Sequence, residues 1–573
     1  MPTGDSSGSP ATDYAVALLA SLVDAGVREV VVSPGSRSQA VALAAAEFER
    51  AGRVRLRVRI DERSAGFLAL GLAVETGVPA VVVTTSGTAV ANLHPAVLEA
   101  HHSGVPMVLV TADRPVELRG IGSNQTTVQP GLFGPAVPVV HDLEAPLTGV
   151  VDVVGVRRLA LDAVAAALGR PGDDGERRSP GPVQLNLALR EPLSAAVGQL
   201  PEARPEPQHR ASPSSVLRLA VDEVPGTVVV AGHAAGDRAE ELARQLGAPL
   251  VAEVSSGAHF GPNLALGWRT LLGEPELGGA VRRVVVLGHP TLSRQVPALL
   301  RGSGLEVVVV HGDAVEPYDP SRTATVVDAV EVAAGGDAGD RAHRAWVGRW
   351  VHAGRAVVGD GDAAPDLVAA TSEEAAQRRE FLRGEVDLLR RPVTRRSLAE
   401  ALWRVTWPHD RLVLGASRLI REVDEVVPGK RVPVHANRGL AGIDGTVATA
   451  TGIALASQLD ASRPGVTRVL LGDLTLLHDV GSLLFGEGEV RPRLQVVVGN
   501  DGGGTIFDGL EVSATAPADA LRRVQFTPQG VLLEHLARAY GWTYVRAATR
   551  AELDQALARP ADGPVLVEVP LAR

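Results

Sequence analysis

The sequence of 573 residues contains no cysteine and only one lysine, Lys430, which lies in a polar Pro-Gly-Lys-Arg turn. The absence of cysteine excludes thiol nucleophiles, cysteine-ligated zinc, iron–sulfur clusters and disulfides. A single lysine in a polar turn argues against a Schiff-base or pyridoxal-phosphate mechanism. The sequence also lacks a Gly-Lys-Ser phosphate loop. It has no apolar run near the roughly 18 residues that a membrane helix needs.

Basic residues are fewer than acidic ones, 56 against 66, so the formal net charge is −10. This balance argues against nucleic acid or an anionic membrane as the main partner. The N-terminal stretch MPTGDSSGSPATD lacks the basic and apolar regions of a signal peptide. We therefore predict a soluble, cytoplasmic protein whose partners are small molecules, with no nucleic acid and no membrane among them.

Apolar, β-branched runs alternate with helical segments, and this pattern predicts an α/β fold of three domains, each with a mostly parallel sheet flanked by helices. Five strands are predicted in the first domain. The Arg-alternating run VRLRVRI (54–60) is the least apolar and is predicted to lie toward a sheet edge. The predicted division is a disordered tail (1–12), a first α/β domain (13–200), a Pro-rich linker (201–215), a middle α/β domain (216–340), a helical connection (341–390) and a last α/β domain (391–573).

The most informative motif joins Asp473 to Asn500, 27 positions later, since each follows a β-branched run. In an α/β domain both residues should lie at the carboxyl ends of strands, where ligands bind. Carboxylate, amide and backbone carbonyl oxygens suit Mg²⁺, and glycines 502–504 would let a diphosphate approach the backbone. The alternative is two ordinary turns, because Gly-Asp and Asn-Asp-Gly are common turn sequences. The order and spacing resemble the GDG…N motif of thiamin-diphosphate enzymes.

Glu62 is the candidate catalytic acid. Thiamin-diphosphate chemistry needs a carboxylate beside N1′ of the cofactor's aminopyrimidine, in a different domain from the diphosphate site. Glu62 directly follows the run 54–60 and Asp61, so it fits that position. The alternative is an acid at a helix N-terminus, stabilised by the helix dipole and paired with Arg63. The accompanying metal motif favours the catalytic role.

Arginines recur in the turns after strands, and guanidinium groups bind carboxylates bidentately. Ser417 and Arg421 are four positions apart and would share a helix face. The alternative is surface salt bridging, because almost every basic residue here is arginine. Four arginine-bearing turns in two domains favour one shared anion site. The residues predicted to bind substrate are Ser36, Arg37, Arg114, Asn124, Gln125, Ser417, Arg421 and Arg438.

Six strings together resemble one family of thiamin-diphosphate enzymes, the 2-succinyl-5-enolpyruvyl-6-hydroxy-3-cyclohexene-1-carboxylate synthases (MenD). The resemblance covers most of the first and last domains, whereas the middle domain matches loosely. It implies a transferase that decarboxylates 2-oxoglutarate and adds the succinyl carbanion equivalent to isochorismate in menaquinone biosynthesis. The strings are VVSPGSRS, DERSAGFLALGLA, TTSGTAVANLHPAVLEA, TADRPVELRGIGSNQT, ANRGLAGIDGTVATATG and GDLTLLHD…GNDGGGTIF.

The resemblance assigns the cofactors thiamin diphosphate and Mg²⁺, with Mn²⁺ as an alternative metal, and assigns individual roles. Glu62 would activate the aminopyrimidine, and Ile443 would hold the cofactor bent. The metal ligands would be Asp473, Asn500 and the Gly502 carbonyl. The family pattern also implies a homodimer or a dimer of dimers, with Glu62 and Asp473 of each site from different subunits. The implied cofactor-binding residues are Glu62, Thr88, Gly442, Ile443, Gly472, Asp473, Leu474, Asn500, Gly503, Gly504, Thr505, Ile506 and Phe507.

Two departures from the general motif and two alternatives remain. Leu474 stands where the general motif has its second glycine, as in the MenD pattern, and Asp501 stands where a second asparagine is usual. The orientation of Asp501 is left open. Another thiamin-diphosphate enzyme for 2-oxo acids, similar to acetolactate synthase, should have a more apolar site that is poor in arginine. A cofactor-binding regulator without catalysis would not need Glu62 together with the metal motif.

Overall fold

The computed structural model describes residues 8–147, 151–171, 178–205, 215–334, 336–359, 367–460, 465–560 and 562–573. In this part of the chain no helix has the length and apolar character needed to cross a membrane. The predicted α/β architecture is confirmed, because every pair of neighbouring strands within the sheets is parallel and helices flank the sheets.

The strands, in chain order, are β1 (Glu29–Val32), β2 (Arg55–Val58), β3 (Ala80–Thr84), β4 (Met107–Asp113), β5 (Val139–Leu143), β6 (Pro182–Ala188), β7 (Val216–Leu219), β8 (Thr227–Ala231), β9 (Leu250–Ala252), β10 (Arg283–Leu287), β11 (Glu306–Val310), β12 (Thr325–Val327), β13 (Ala329–Val332), β14 (Arg411–Leu414), β15 (Val434–His435), β16 (Thr467–Gly472), β17 (Leu494–Asn500), β18 (Thr543–Arg546) and β19 (Val565–Pro570).

The helices are α1 (Pro10–Asp24), α2 (Gln39–Arg50), α3 (Glu62–Thr76), α4 (Thr88–Asn92), α5 (His94–Ser103), α6 (Val153–Ala167), α7 (Arg238–Leu246), α8 (Trp268–Leu271), α9 (Gln295–Leu300), α10 (Arg341–Val358), α11 (Leu367–Thr371), α12 (Ala375–Arg390), α13 (Arg395–Val405), α14 (Arg418–Val426), α15 (Thr446–Ser457), α16 (Asp473–His478), α17 (Val512–Thr515), α18 (Ala518–Leu521), α19 (Leu533–Ala539) and α20 (Arg550–Ala558).

The first and last sheets share one topology. Their six strands run in the orders β2-β1-β3-β4-β6-β5 and β15-β14-β16-β17-β19-β18, so each sheet reads 2-1-3-4-6-5 when its own strands are numbered along the chain. The middle sheet has five strands in the order β12-β11-β10-β8-β9, and β7 pairs with β13 beside it. In each large sheet the order reverses beside its first strand, and open parallel sheets bind ligands at that switch point.

The two six-stranded sheets are joined through a crossing of α3 and α15. A Cβ atom on Gly71 would lie 2.0 Å from the Thr449 carbonyl oxygen, and one on Gly452 would lie 2.3 Å from the Leu68 carbonyl oxygen. Only glycine therefore allows these helix backbones to approach so closely. Ala448 of α15 packs into the core beside the first sheet, while its neighbour Val447 packs into the core beside the last sheet. The helix α15 thus belongs to both cores.

The sequence predicted most strands but missed an edge of the first sheet. The run 54–60 forms β2 at one edge, as predicted. Strand β5 (VVHDL) at the other edge was missed, because four of its residues are half-buried and Asp142 is exposed, unlike the apolar central strands. In the middle region β7, β12 and β13 were also missed. These strands have only three or four residues and several exposed side chains.

The structure bears on the predicted tail and on the predicted linker. Helix α1 begins at Pro10, inside the predicted tail 1–12, because Ser9 caps it by accepting a hydrogen bond from the Thr12 N–H at 3.3 Å. Residues 1–7 of that tail and residues 206–214 of the predicted linker lie outside the described residues. The linker residue Arg204 donates its N–H to Asp24 of α1 at 2.8 Å. The first part of the linker is therefore packed against the first domain.

Candidate active site

Asp473 and Asn500 lie side by side at the carboxyl edge of the last sheet. They directly follow Gly472 and Gly499, which are register partners on the neighbouring strands β16 and β17. The Asn500 amide donates to Glu568 at 2.7 Å, and the Asn500 Oδ1 accepts the Gly502 N–H at 3.2 Å. The adjacency that the sequence predicted is confirmed, whereas the metal-binding role stays a prediction.

The surroundings of Asp473 fit a cation. Asp473 is 4% exposed. Its burial, together with the nearby carboxylate of Asp501, raises the pKa of Asp473 to about 6. An anionic form disfavoured by burial and by a like charge would be stabilised by a divalent cation. Asp501 itself is compensated, because Arg395 donates to its Oδ2 at 2.7 Å and the Thr505 hydroxyl donates to the same oxygen at 2.5 Å. One carboxylate oxygen of Asp501 is therefore directed toward Arg395 and Thr505.

The predicted metal ligands are not a cluster of carboxylate and imidazole side chains. Within the described ranges, no group of three or more His, Cys, Asp or Glu side chains is placed to hold a metal ion. The predicted ligands are one carboxylate, one amide oxygen and the Gly502 carbonyl. Such a set leaves positions of an octahedral Mg²⁺ ion for phosphate oxygens and water. The residues present therefore fit Mg²⁺ held together with a diphosphate.

Gly502 and Gly503 differ in the space that is available beside their Cα atoms. Gly502 has a φ of 77° and open space where a Cβ would stand. A Cβ on Gly503 would lie 2.3 Å from the Phe526 carbonyl oxygen, which also accepts the Gly504 N–H at 2.7 Å. Packing against Phe526 therefore explains the glycine at position 503 without any diphosphate. Open space is also found beside Gly472, which precedes α16.

Ser417 ends the turn after β14 and Arg421 lies in the first turn of α14, next to β16 and Asp473. Ser417 stands at the N-cap position of α14 without a capping hydrogen bond from its side chain, and its φ of 100° is a strained conformation for a residue with a side chain. The Arg421 guanidinium donates to the Ser417 carbonyl oxygen at 2.6 Å. Burial of the half-buried Arg421 guanidinium, followed by the charge of Arg269, lowers the pKa of Arg421. The two residues are together, as the four-residue spacing predicted.

A cavity of about 390 Å³ opens beside Arg421. Its walls come from the turn after β10, from the start of α14 and from the segment after the glycines. Three of the lining side chains are arginines, and none of the ten is acidic. The lining residues are Thr291, Leu292, Ser293, Arg294, Arg418, Arg421, Thr505, Ile506, Gly509 and Leu510. The cavity thus joins Arg421 to the predicted cofactor-binding residues Thr505 and Ile506, and its size suits a small ligand.

The middle domain supplies part of this cavity wall through a buried polar cluster. Arg438, which is 2% exposed, donates to the Thr291 hydroxyl at 2.8 Å and to the Thr291 carbonyl oxygen at 3.2 Å. Glu253 accepts the N–H groups of Thr291 and Leu292 at 2.8 and 2.6 Å. Burial and then Asp424 raise the pKa of Glu253. Arg438 was predicted from the sequence, whereas Glu253 was missed, since its one signal was an acid inside the apolar run PLVAEV.

Glu62 begins α3 at the carboxyl edge of the first sheet, as predicted. The helix cap is supplied by Asp61, whose carboxylate accepts the N–H groups of Arg63 and Ser64. The Arg63 guanidinium donates to the His478 carbonyl oxygen at 2.8 Å. Glu62 accepts a hydrogen bond from the Asn92 amide at 3.1 Å. The capping and pairing that formed the alternative explanation for Glu62 are therefore provided by other contacts.

The first sheet holds the other predicted arginines. Arg114 donates to the Ser86 hydroxyl at 2.9 Å and to the Gln125 carbonyl oxygen at 2.6 Å. The Gln125 amide donates to the Ser86 carbonyl oxygen at 2.9 Å, and Gln125 has a φ of 52°. Arg37 donates to the Leu189 carbonyl oxygen at 3.1 Å. Burial and then Arg114 lower the pKa of Arg37, so the two guanidinium groups lie near each other.

The predicted substrate-binding residues thus form two groups within one chain. Arg37, Arg114 and Gln125 lie at the edge of the first sheet, while Arg421 and Arg438 lie at the edge of the last. The charges that act on Arg37 are Arg114, Glu191 and Asp113, whereas those that act on Arg421 are Arg269, Glu253 and Asp424. Three further predicted residues, Ser36, Thr88 and Asn124, are exposed near the first group.

A smaller cavity of about 180 Å³ lies where the first domain meets the segment before α15. Glu99 of α5 holds this segment by accepting the N–H groups of Gly439 and Leu440 at 2.7 and 2.8 Å. Gly442 lines the cavity, and Ile443 is half-buried beside it. The predicted residues Leu474, Ile506 and Phe507 are also half-buried. The lining residues are Phe67, Pro95, Leu98, Glu99, Asn437, Leu440, Gly442 and Asp444.

Comparisons with known proteins define the class of protein. Residues 12–132 match the family model described as the N-terminal TPP binding domain of thiamine pyrophosphate enzymes. The chain also superposes on the crystal structure of benzoylformate decarboxylase from Polynucleobacter necessarius with a TM-score of 0.67 over 98% of both chains. At 15% identity this likeness shows the fold alone. Fold and matched domain define a thiamin-diphosphate-dependent enzyme.

Two similar proteins identify the family. A protein of Leifsonia xyli subsp. xyli is 58% identical over 584 residues, which cover 99% of this chain and 97% of the relative. A protein of Clavibacter michiganensis subsp. michiganensis is 56% identical, with 100% and 98% covered. Both are named 2-succinyl-5-enolpyruvyl-6-hydroxy-3-cyclohexene-1-carboxylate synthase. The chain belongs to this family of synthases.

Proposed function

We propose that the protein decarboxylates 2-oxoglutarate and adds the succinyl unit to isochorismate, releasing CO₂, in menaquinone biosynthesis. The product is the compound in the relatives' name. The observation that carries the choice of substrates is the cavity with three arginines and no acidic side chain. Both substrates are dicarboxylates, so the site must accommodate up to four carboxylates, and guanidinium groups bind these bidentately. The cytoplasm is the proposed compartment, because such charged metabolites do not cross membranes unaided.

The last domain (391–573) would hold the diphosphate and Mg²⁺. The proposed metal ligands are Asp473, Asn500 and the Gly502 carbonyl, supported by their adjacency and by the excess negative charge near Asp473. When bound, thiamin diphosphate supplies the carbon nucleophile that allows a 2-oxo acid to lose CO₂. The remaining proposed cofactor contacts are Thr88, Gly442, Ile443, Gly472, Leu474, Gly503, Gly504, Thr505, Ile506 and Phe507.

The first domain would bind the aminopyrimidine. Glu62 would hold the proton that it shares with N1′, which is the step that activates the cofactor. Its position at the start of α3 supports this role, since Asp61 already caps the helix. The carboxylates of the two substrates would be held by both arginine groups. The proposed substrate-binding residues are Ser36, Arg37, Arg114, Asn124, Gln125, Ser417, Arg421 and Arg438.

The site would be completed by a second copy of the chain. The two arginine groups have different electrostatic neighbours within one chain, so a subunit interface is one way to unite them. Large apolar side chains are exposed after the strands of the first sheet, among them Ile60 at 71%, Val116 at 77% and Ile121 at 67%. Contiguous exposed apolar patches mark association surfaces, and these turns at one edge of the sheet are where we place such a surface. We therefore propose a homodimer or a dimer of dimers.

The activity is tested by NMR on one mixture of purified protein, thiamin diphosphate, Mg²⁺, 2-oxoglutarate and isochorismate. We expect consumption of both substrates and formation of the named product. Consumption of 2-oxoglutarate alone would indicate a simpler decarboxylase. A protein that binds the cofactor but turns over neither 2-oxo acids nor isochorismate would be a regulator without catalysis.

The shared site is tested by mixing two inactive variants, Glu62→Gln and Asp473→Ala, after dissociation and reassociation. If each site takes Glu62 from one subunit and Asp473 from the other, a mixed dimer has one intact site and activity returns. About half of the dimers are mixed, so roughly a quarter of all sites should be intact by simple counting of random pairs. If both residues of a site come from the same chain, no site is intact and the mixture stays inactive.

A further inference from the structure

The backbone of Arg114 is held at both ends by charged side chains. Its N–H donates to Asp113 Oδ1 at 2.7 Å, and its carbonyl oxygen accepts from Arg119 Nε at 2.8 Å. Arg119 Nη2 lies 3.1 Å from Asp113 Oδ2, so the three residues form a closed ring. Hydrogen bonds with a charged partner are stronger than neutral ones. The ring therefore fixes the position from which the Arg114 side chain extends.

This ring is anchored in the first sheet. Arg119 donates to both carboxylate oxygens of Asp142 on β5, at 2.8 and 3.2 Å. The Asn186 amide donates to Asp113 at 2.9 Å and to Asp142 at 2.8 Å. Asp113 and Asn186 are both fully buried. Burial acts to raise the pKa of Asp142, but the hydrogen bonds from Arg119 and Asn186 outweigh it and hold this pKa below its ordinary value.

The same network reaches the groups that bind the Arg114 guanidinium. Gln129 is fully buried, donates to Asn186 Oδ1 at 2.9 Å and accepts the Gly87 N–H at 2.9 Å. Gly87 follows Ser86, whose hydroxyl accepts from Arg114. The backbone and the guanidinium of Arg114 are thus positioned by one continuous set of hydrogen bonds. Arg119, like Arg114 and Gln129, comes from the segment between β4 and β5, and it links this segment to Asp142 on β5.

We propose that Arg119 is a positioning residue that orients Arg114 toward a substrate carboxylate. The inference deepens the proposed function, because it assumes that Arg114 binds substrate. A surface ion pair without this role contributes little to stability and nothing to substrate capture. Arg119 differs from such a pair because it contacts two carboxylates and a backbone carbonyl at once. A displacement of about 1 Å in a binding group can cost roughly 100-fold in rate.

The test compares Arg119→Met with the matched control Arg190→Met. Arg190 pairs with Glu117 of the same loop and takes no part in the ring. For Arg119→Met we expect kcat/KM to fall about 10- to 100-fold for at least one substrate, mainly through KM. Thiamin diphosphate affinity should be unchanged, and Arg190→Met should keep normal kinetics. A purely structural role would lower thermal stability and leave KM unaltered, and that result would overturn the proposal.

A double variant separates this inference from the proposed function. On an Arg114→Ala background, Arg119→Met should reduce kcat/KM by no more than about twofold, because residues acting through one group are not additive. If the losses in kcat/KM of the two single variants multiply in the double variant, the inference is overturned. If kcat/KM is reduced in Arg114→Ala but normal in Arg119→Met, only the inference about Arg119 is overturned. Normal kinetics of Arg114→Ala would overturn both the substrate role of Arg114 and this inference.

Arg119→Lys keeps the test valid if the methionine variant does not fold. Lysine keeps the positive charge between Asp113 and Asp142, but it lacks the planar fork that reaches two carboxylates and a carbonyl oxygen together. We expect its kcat/KM to lie between those of the wild type and Arg119→Met, at least about fivefold below the wild type. Full wild-type kcat/KM in Arg119→Lys would show that charge alone suffices and would overturn the positioning role.

Discussion

The first and last sheets have the same strand order, the same parallel pairing and helices on both faces, yet their carboxyl edges carry different chemistry. The first edge bears Arg37, Glu62 and Arg114. The last edge bears the buried carboxylate of Asp473 and the half-buried amide of Asn500 beside glycines, together with Arg421 and Arg438. The shared backbone geometry determines where functional side chains can stand, and the residues of each strand-end turn determine what they can do.

The middle sheet differs from both, because it has five strands and its contribution to the site is indirect. Its turn after β10 forms part of the wall of the arginine cavity, where Glu253 and Arg438 hold Thr291 from two sides. Under the proposed function, the first edge would activate the cofactor, the last edge would bind the metal and the middle turn would shape the cavity. Substitutions at each place should then change different measured quantities.

Glu62→Gln should have the largest effect, because the amide cannot share a proton with N1′ as the acid does. We expect kcat to fall about 10²- to 10⁴-fold at saturating cofactor, with thiamin diphosphate still bound. The measurement is steady-state turnover together with calorimetric titration of the cofactor. Glu47→Gln on α2, whose partner is the neighbouring Arg50, is the matched control. Near-normal turnover of Glu62→Gln would show that Glu62 takes no part in activating the cofactor.

Arg421→Ala should come next and should affect substrate capture at the last edge. Losing a charge-assisted hydrogen bond to a carboxylate costs about 1.5 to 3 kcal/mol, or roughly 10- to 150-fold in kcat/KM. We expect a higher KM for at least one substrate and normal cofactor binding. Arg404→Ala, which removes an exposed partner of Asp554, is the control. Unaltered kinetics toward both substrates would make Arg421 a structural arginine.

Asp473→Ala should weaken the binding of thiamin diphosphate in the presence of Mg²⁺. Changes to groups that merely support a metal ligand cost about 10- to 100-fold in affinity, so losing a ligand should cost at least as much. Calorimetric titrations with and without Mg²⁺ measure the effect, and Asp519→Ala on the short helix α18 is the control. Equal affinity in the variant and the wild type would place the metal elsewhere.

The raised pKa of Asp473 adds a pH dependence to this binding. The ionised carboxylate is the form that binds a metal. Since burial raises the pKa of Asp473 to about 6, Mg²⁺-dependent cofactor affinity should fall as the pH drops through 6. For the folding stability of the metal-free protein, the effect of pH has the opposite sign. A pKa raised on folding contributes stability at low pH, and this contribution is lost as the pH rises through about 6. Cofactor titrations between pH 5 and 8 check the first trend, and denaturant unfolding of the metal-free protein from about pH 4 to 7 checks the second.

Gly452→Ala should have the smallest effect and should act on stability. The added Cβ would lie 2.3 Å from the Leu68 carbonyl oxygen, so α3 and α15 must separate. Overpacking of this kind costs about 1 to 3 kcal/mol, measured by thermal or denaturant unfolding. The control is Gly384→Ala, because a Cβ there meets nothing within 4 Å and alanine favours a helix. If Gly452→Ala and Gly384→Ala are equally stable, α3 and α15 can move apart at little cost in stability.

The sequence predicted those parts of the site that depend on local order along the chain. Asp473 and Asn500 each follow an apolar run, and parallel strands place such residues at one edge. Glu62 was found in the same way. Glu253 and Arg119 were missed because they depend on contacts between distant parts of the chain: Glu253 binds residues 38 and 39 positions away, and Arg119, besides its near neighbours Asp113 and Arg114, binds Asp142, 23 positions away. No local pattern encodes such contacts.

By itself the sequence determined the α/β fold class, the strand-end positions of the predicted acid, amide and arginine residues, and the resemblance to a thiamin-diphosphate family. These follow from the periodicity of apolar residues and from the turn chemistry after each strand. The tertiary structure alone decided that Arg438 faces Thr291, that Asp501 is compensated by Arg395, and that α15 packs against both large sheets. The physical reason is that packing brings together side chains from different elements, and their burial and charge then depend on neighbours that the local sequence does not specify.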